Sequence, residues 1–175
     1  GYGGSCLPKD MKALISFADK VGINPILLNA VEKTNQKQVQ NIVLLMEKIL
    51  GTLGSKRITV LGTAFKPNTD DVRDSIAIEL IKKLLKKKVK ITIYDPKAMK
   101  NTRRIFGEKI ICAKSITDAL NKSQCAVFMT HWKQFEGFNN NSMKRMSKKF
   151  IIDCRRILVK KELHAEYHAI GIGKT

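Results

Sequence analysis

The residue types most able to do chemistry stand at the front of the chain, in Gly1-Tyr2-Gly3-Gly4-Ser5-Cys6-Leu7-Pro8-Lys9-Asp10. Glycines let a backbone approach a ligand closely, because no Cβ stands in the way. Cys6 follows them at once and precedes a helix that Pro8 opens. A thiol at a helix N-terminus, with Lys9 beside it, is favoured as the nucleophilic thiolate. Asp10, four residues on, shares a helix face with Cys6 and can orient or deprotonate a water. A lone cysteine is more often an inert core residue. Here the flanking glycines and the Lys-Asp pair favour a reactive one.

A second constellation follows the first predicted strand, in Gly62-Thr-Ala-Phe-Lys-Pro67. One glycine cannot cradle a pyrophosphate as a G-x-G-x-x-G loop does. The loop offers Lys66 instead, a point charge suited to phosphate. Asp95 ends the second strand, where a ribose-binding acid would stand. With the glycines missing, a strand-end turn residue before Pro96 is the better reading. Cys112, Cys125 and Cys154 fall in or at the ends of strands and read as core residues. His131 has no partner at ligand spacing. His164 and His168 lie four apart on a possible helix, but no third ligand is near, so they read as surface histidines and no metal site is expected.

These side chains must be positioned by two kinds of element. Residues 8–21 carry a helical apolar stripe (Leu14, Ile15, Phe17, Ala18, Val21), and Gly22 is a plausible stop. Asn24-Pro25 reads as N-cap and first helical residue of one long helix, or two in series, that ends at Gly51 and Gly54. From residue 56 the pattern changes. Short apolar runs at Arg57–Leu61, Lys90–Tyr94, Lys109–Cys112, Cys125–Met129 and Phe150–Asp153 read as strands. An amphipathic helix is predicted over Ser75–Lys88, and Ser115-Ile-Thr-Asp118 is a capping box. The fold class is therefore α/β: a helical segment, residues 1–54, followed by a Rossmann-like, doubly wound parallel sheet, residues 55–175.

Composition narrows the partners. Lys and Arg number 33 against 15 Asp and Glu, a formal net charge of +18, which raises nucleic acid as a partner. However, the basic residues are mostly lysine and spread along the chain, and the densest run, Lys82 to Lys90, lies on a helix whose Ile78, Ile81, Leu84 and Leu85 face inward. Aromatics are only 6% and do not alternate with basic residues as a stacking platform requires. No nucleic acid is expected. No apolar run is long enough to span a bilayer, so no membrane is expected either. The cysteines show no C-x-x-C pair, and the opening Gly-Tyr-Gly-Gly has no secretory character. A reducing cytoplasm is the expected home. The missing initiator methionine suggests a fragment or a processed chain.

GYGGSCLPKD closely resembles the catalytic-cysteine motif of the UDP-glucose/GDP-mannose dehydrogenase family. GTAFKPNTDDVRDS resembles the opening of that family's UDP-sugar-binding domain, and its KPNTDD form leans toward the UDP-glucose branch. Tyr94-Asp-Pro96, Thr130-His-Trp132 and Ile152-Asp-Cys-Arg-Arg156 fall in the family's order and spacing. The resemblance implies an NAD-dependent, two-step oxidation of a nucleotide sugar to its acid. Cys6 would add to the aldehyde and pass through a thioester, and water assisted by Asp10 would hydrolyse it. Gly1, Tyr2 and Gly3 would line the sugar. Phe65 and Lys66 would hold the uridine diphosphate, and Arg155 would reach the substrate. Lys9 and Arg73 would touch NAD. The complete enzyme would be a homodimer.

Some family features have no counterpart. The N-terminal NAD-binding domain and the first part of the central helical region are missing, as are the lysine and asparagine that assist catalysis from there. His131 stands where relatives often carry Glu, and Cys154 where they often carry Gly. The 175 residues alone are accordingly expected to be inactive, with a non-catalytic nucleotide-binding or oligomerisation module as the alternative reading.

Overall fold

A short strand that is apolar on both faces must lie between two covering layers. β1 (Arg57–Leu61) and β4 (Cys125–Phe128) are such strands, with Ile58–Leu61 and the whole of β4 buried. The computed structural model, which describes residues 1–158 and 161–171, pairs them as parallel neighbours at the centre of a six-stranded sheet. β2 (Lys90–Tyr94) and β3 (Ile110–Cys112) extend it on one side, and β5 (Phe150–Asp153) and β6 (Glu166–Ala169) on the other. The order is β3-β2-β1-β4-β5-β6 and every pairing is parallel. The expected doubly wound sheet is present. Its winding reverses between β1 and β4, so a crevice opens at their carboxyl ends.

Two helices precede the sheet. α1 (Leu7–Lys20) ends at Val21, and Gly22 follows with φ +75°. α2 runs unbroken from Ile26 to Leu50 and stops at Gly51. Pro25, rather than Asn24, occupies its N-cap, and no side chain caps it. The second half of α2 buries Val39, Ile42, Val43 and Met46 in the same core as Ile78, Ile81 and Leu84 of α3 (Ile76–Lys86). Ile58, Val60, Ile91 and Ile93 of the sheet complete that layer. The core therefore runs across the 54/55 junction without a break. α3 turns Lys82 and Lys86 to solvent, as expected of a solvated lysine face.

The other face of the sheet is covered differently. α4 (Met99–Phe106) is the crossover between β2 and β3 and buries only Thr102 and Phe106. The sequence does not announce it, because a helix anchored by so few apolar residues leaves little periodicity to read. α5 (Ile116–Ala119) is a single turn, capped by Ser115 as expected. The residues after β4 fill the remaining space: Phe128 packs edge-on against Phe135 (centroids 5.6 Å) and Phe138 (5.0 Å).

β6 corrects the sequence reading of its region. Glu166–Ala169 alternates along a strand instead of turning as a helix, and Tyr167 pairs in register with Ile151. His164 and His168 therefore share no helix face. His168 faces Glu166 at 3.0 Å, and among the described residues no three His, Cys, Asp or Glu side chains gather as a metal site. Of the three cysteines read as core, Cys125 is buried while Cys112 and Cys154 are half-buried. No helix of the described residues is long and apolar enough to cross a membrane.

Candidate functional site

The loop after β1 is held by an acid from the next strand. The Asp95 carboxylate, buried at the end of β2, accepts five N–H bonds. Oδ2 takes the amides of Thr63 (2.6 Å) and Ala64 (3.0 Å) and the Trp132 indole N–H (3.1 Å). Oδ1 takes the amides of Lys97 (2.9 Å) and Ala98 (2.7 Å), which forms the turn before α4. Asp95 is thus the strand-end turn residue expected, and with both oxygens so engaged it cannot serve as a ribose ligand. The sequence hid its other partners, which lie more than thirty residues away on both sides.

Three hydroxyls finish the loop. Ser75 donates to the Thr63 carbonyl (2.8 Å), Thr130 to the Ala64 carbonyl (2.6 Å), and Thr102 to the Thr63 hydroxyl (2.7 Å). Gly62, at φ +87°, lies so close to Thr130 that a Cβ would sit 2.6 Å from the threonine Cβ. The space a dinucleotide's pyrophosphate would need at that glycine is filled by protein. At the tip of the loop Phe65 is half-buried and Lys66 exposed, with the Lys66 ammonium 5.4 Å from the Phe65 ring centre.

The cysteine segment is laid onto this loop. Gly4, at φ +93°, faces the Phe65 ring so closely that a Cβ would come within 2.5 Å of it. A Cβ on Gly3 would collide with the Asp74 carbonyl oxygen. These close approaches are to the protein itself. Cys6 occupies the N-cap position of α1, exposed, with Ser5 Oγ 3.8 Å from its sulfur. The Asp10 amide donates to the Cys6 carbonyl (2.8 Å), while the Asp10 carboxylate pairs with Lys9 (3.1 Å) in an exposed contact. Arg73 grips Asp71 through Nε and Nη2 (2.7–3.0 Å), and the Arg73 guanidinium holds the Asp71 carboxyl below its usual value.

Arg155 follows β5, where its Nε donates to the Met129 carbonyl (2.7 Å). Its charge lies near Gly1, at the front of the cysteine segment. A second buried acid, Asp153, supports that turn by accepting from the amides of Arg155 (3.0 Å) and Leu158 (2.8 Å) and from the Tyr167 hydroxyl (3.0 Å). A hollow of about 410 Å³ opens between Gly1, Tyr2 and the α2 residues Ala30, Val31, Thr34, Asn35 and Gln38. The fold therefore gathers Gly1, Tyr2, Gly3, Cys6, Phe65, Lys66, Arg73 and Arg155 at one end of the sheet. The buried thiols lie apart from this group in chemistry. Burial pushes Cys154 up to about 12 and raises Cys125 and Cys112 as well.

The chain matches two models of one family. Residues 59–160 match the UDP binding domain of the UDP-glucose/GDP-mannose dehydrogenase family, and residues 1–37 match its central domain. The UDP-glucose 6-dehydrogenase AglM of Haloferax volcanii is 40% identical over 163 residues, 93% of this chain and 37% of that protein. The UDP-glucose 6-dehydrogenase TuaD of Bacillus subtilis is 34% identical over 175 residues, 98% of this chain and 38% of that protein. The UDP-glucose dehydrogenase structure from Pyrobaculum islandicum matches with a TM-score of 0.87 at 30% identity, over 99% of this chain and 38% of that one. The chain spans well under half the length of each.

Asp95→Asn places an amide where three N–H donors converge. It is expected to lower the unfolding free energy by about 2–4 kcal/mol in urea titrations, and a loss under about 1 kcal/mol would mean that the five bonds do not hold the loop. The thiols should separate by reactivity. A raised thiol pKa leaves the neutral form in place until alkaline pH, so iodoacetamide at neutral pH should label exposed Cys6 first and leave Cys125 and Cys154 unlabelled in the native chain. Labelling of a strand cysteine as fast as Cys6, read by mass spectrometry, would contradict this.

Proposed function

Because the chain belongs to the UDP-glucose/GDP-mannose dehydrogenase family, we propose that it is the part of an NAD-dependent UDP-glucose 6-dehydrogenase that holds the UDP-sugar and supplies the nucleophile. The observation that carries this reading is the seating of Gly4 on Phe65, which sets the cysteine segment against the loop that carries Lys66, at the sheet's switch point. Lys66 supplies charge to the diphosphate and Phe65 an apolar surface to the ligand. The hollow beside Gly1 and Tyr2 has room for a hexose, and Gly3 and Arg155 are proposed to reach the sugar from outside that lining.

In this reading the Cys6 thiolate adds to the C6 aldehyde of the sugar and forms a thiohemiacetal. After oxidation to the thioester, a water oriented by Asp10 attacks the carbonyl, the acid leaves, and the thiolate is restored. The described residues do not fit a complete dinucleotide site: Gly62 is closed by Thr130 and Asp95 has no free oxygen. Lys9 and Arg73 are proposed only as edge contacts to NAD, and the oxidation itself is not routed through residues of this chain.

A homodimer through the first helices is part of the same proposal. Leu14 and Phe17 of α1, Val21 just after it, and Ile26 and Leu27 of α2 are exposed. The spacing of the first three puts them on one helix face, the pattern of an interface.

Calorimetry with UDP tests the binding site. The chain should bind UDP, and Lys66→Ala should weaken binding by about tenfold or more, the loss of one charge-assisted contact. Equal affinity in the variant would put the diphosphate elsewhere. Sedimentation tests the interface. Self-association should rise with salt, which screens the net charge of +18, and should be lost in the doubly substituted Phe17→Glu, Leu27→Glu chain. A chain that remains monomeric at high concentration and high salt would refute the dimer.

A further inference from the structure

We propose that Asn35 is a positioning residue for Cys6, acting by clamping the main chain of Tyr2. This rests on the reading of Cys6 as the nucleophile toward a bound UDP-sugar. The Asn35 carboxamide meets the Tyr2 backbone twice: the Tyr2 amide donates to Oδ1 (2.8 Å), and Nδ2 donates to the Tyr2 carbonyl (3.0 Å). A side chain thus supplies both halves of a strand-type pairing to a segment that has no strand neighbour among the described residues. One turn earlier on the same face of α2, Glu32 accepts from the Tyr2 hydroxyl (2.8 Å). The Gln36 amide (2.9 Å) and that hydroxyl hold the Glu32 carboxyl below its usual value, so it remains an acceptor.

The clamp matters because of what Cys6 lacks. Among the described residues its sulfur has one hydrogen-bond contact, the Ser5 hydroxyl (3.8 Å), so its position is inherited from the chain on either side. Downstream the chain is anchored by buried Pro8 in the first turn of α1. Upstream the anchors are Asn35 on Tyr2, the Asp74 carbonyl against Gly3, and Phe65 against Gly4. Of these, only the Asn35 contact is a directional, paired hydrogen bond. Asn35→Ala removes both bonds, whereas Asn35→Asp keeps the acceptor for the Tyr2 amide and loses the donor.

The test uses the full chain and two alkylating probes: free chloroacetamide, and a uridine diphosphate bearing a chloroacetamide in place of the sugar. In the wild-type chain the tethered probe should label Cys6 at least about a hundredfold faster than the free one, the gain expected when two groups are held together. Asn35→Ala should cut that advantage by about tenfold or more, with Asn35→Asp between the two. The free-probe rate, the affinity for UDP and amide-exchange protection of β1 and β4 should not change. An undiminished advantage in Asn35→Ala overturns the clamp alone. So does an equal change with both probes, or a change accompanied by loss of protection in the sheet, since a merely structural role would produce either. No advantage in the wild-type chain would overturn the nucleophile reading and the clamp with it.

Discussion

The interaction on which the functional end of the molecule depends is the buried carboxylate of Asp95 with its five N–H donors. A buried charge is costly unless its lone pairs are filled, and here they are filled by the ends of three strands at once. The amides come from the loops after β1 and β2, and the indole from the loop after β4. In a dinucleotide-binding Rossmann unit the acid at this point reaches for a ribose while a glycine loop wraps the pyrophosphate. Here the acid is turned inward and braces the loop. The same winding of strands then presents Phe65 and Lys66 in place of bare glycine backbone.

The parts of this architecture that were legible in the sequence are those with a local signal. α3 repeats its apolar residues at the helical period, and β1, β2 and β4 are short β-branched or apolar runs between breakers, so their order and type follow from pattern. The site was legible as a set of residue types: a thiol after glycines, and a lysine after a strand. What the pattern could not carry was the wiring between distant residues. Trp132 on Asp95, Tyr167 on Asp153 and Asn35 on Tyr2 join side chains to partners that no spacing rule relates. β6 was misread because a four-residue Glu-Tyr-His-Ala run is too short to separate a strand from a helical turn. The glycines were read as room for a ligand. Gly3 and Gly4 are pressed instead against Asp74 and Phe65, two neighbours far along the chain that local sequence does not reveal.

The two halves of the chain are coupled through α2. Its second half is buried in the layer beneath the sheet, and Glu47 reaches Lys87 (2.7 Å) beyond the end of α3. Its middle holds Tyr2, and its first half presents an apolar face to the outside. One rigid rod of 25 residues thus touches the core, the cysteine segment and the proposed dimer face in turn. The helix is unbroken between the three.

The seating of Gly3 and Gly4 also sets the order in which the molecule can be assembled. The surfaces that hold the thiol-bearing segment, Phe65 and Asp74, lie far from it along the chain, in the loop between β1 and α3. That loop takes its shape only after β2 delivers Asp95 and β4 delivers Thr130. Closing contacts over such sequence distances costs chain entropy that must be met by structure already formed. The seats of Gly3 and Gly4 therefore form only once that loop has its shape. Before the sheet is built Gly3 and Gly4 have no surface to seat against, so assembly of the site doubles as a check that the sheet has folded.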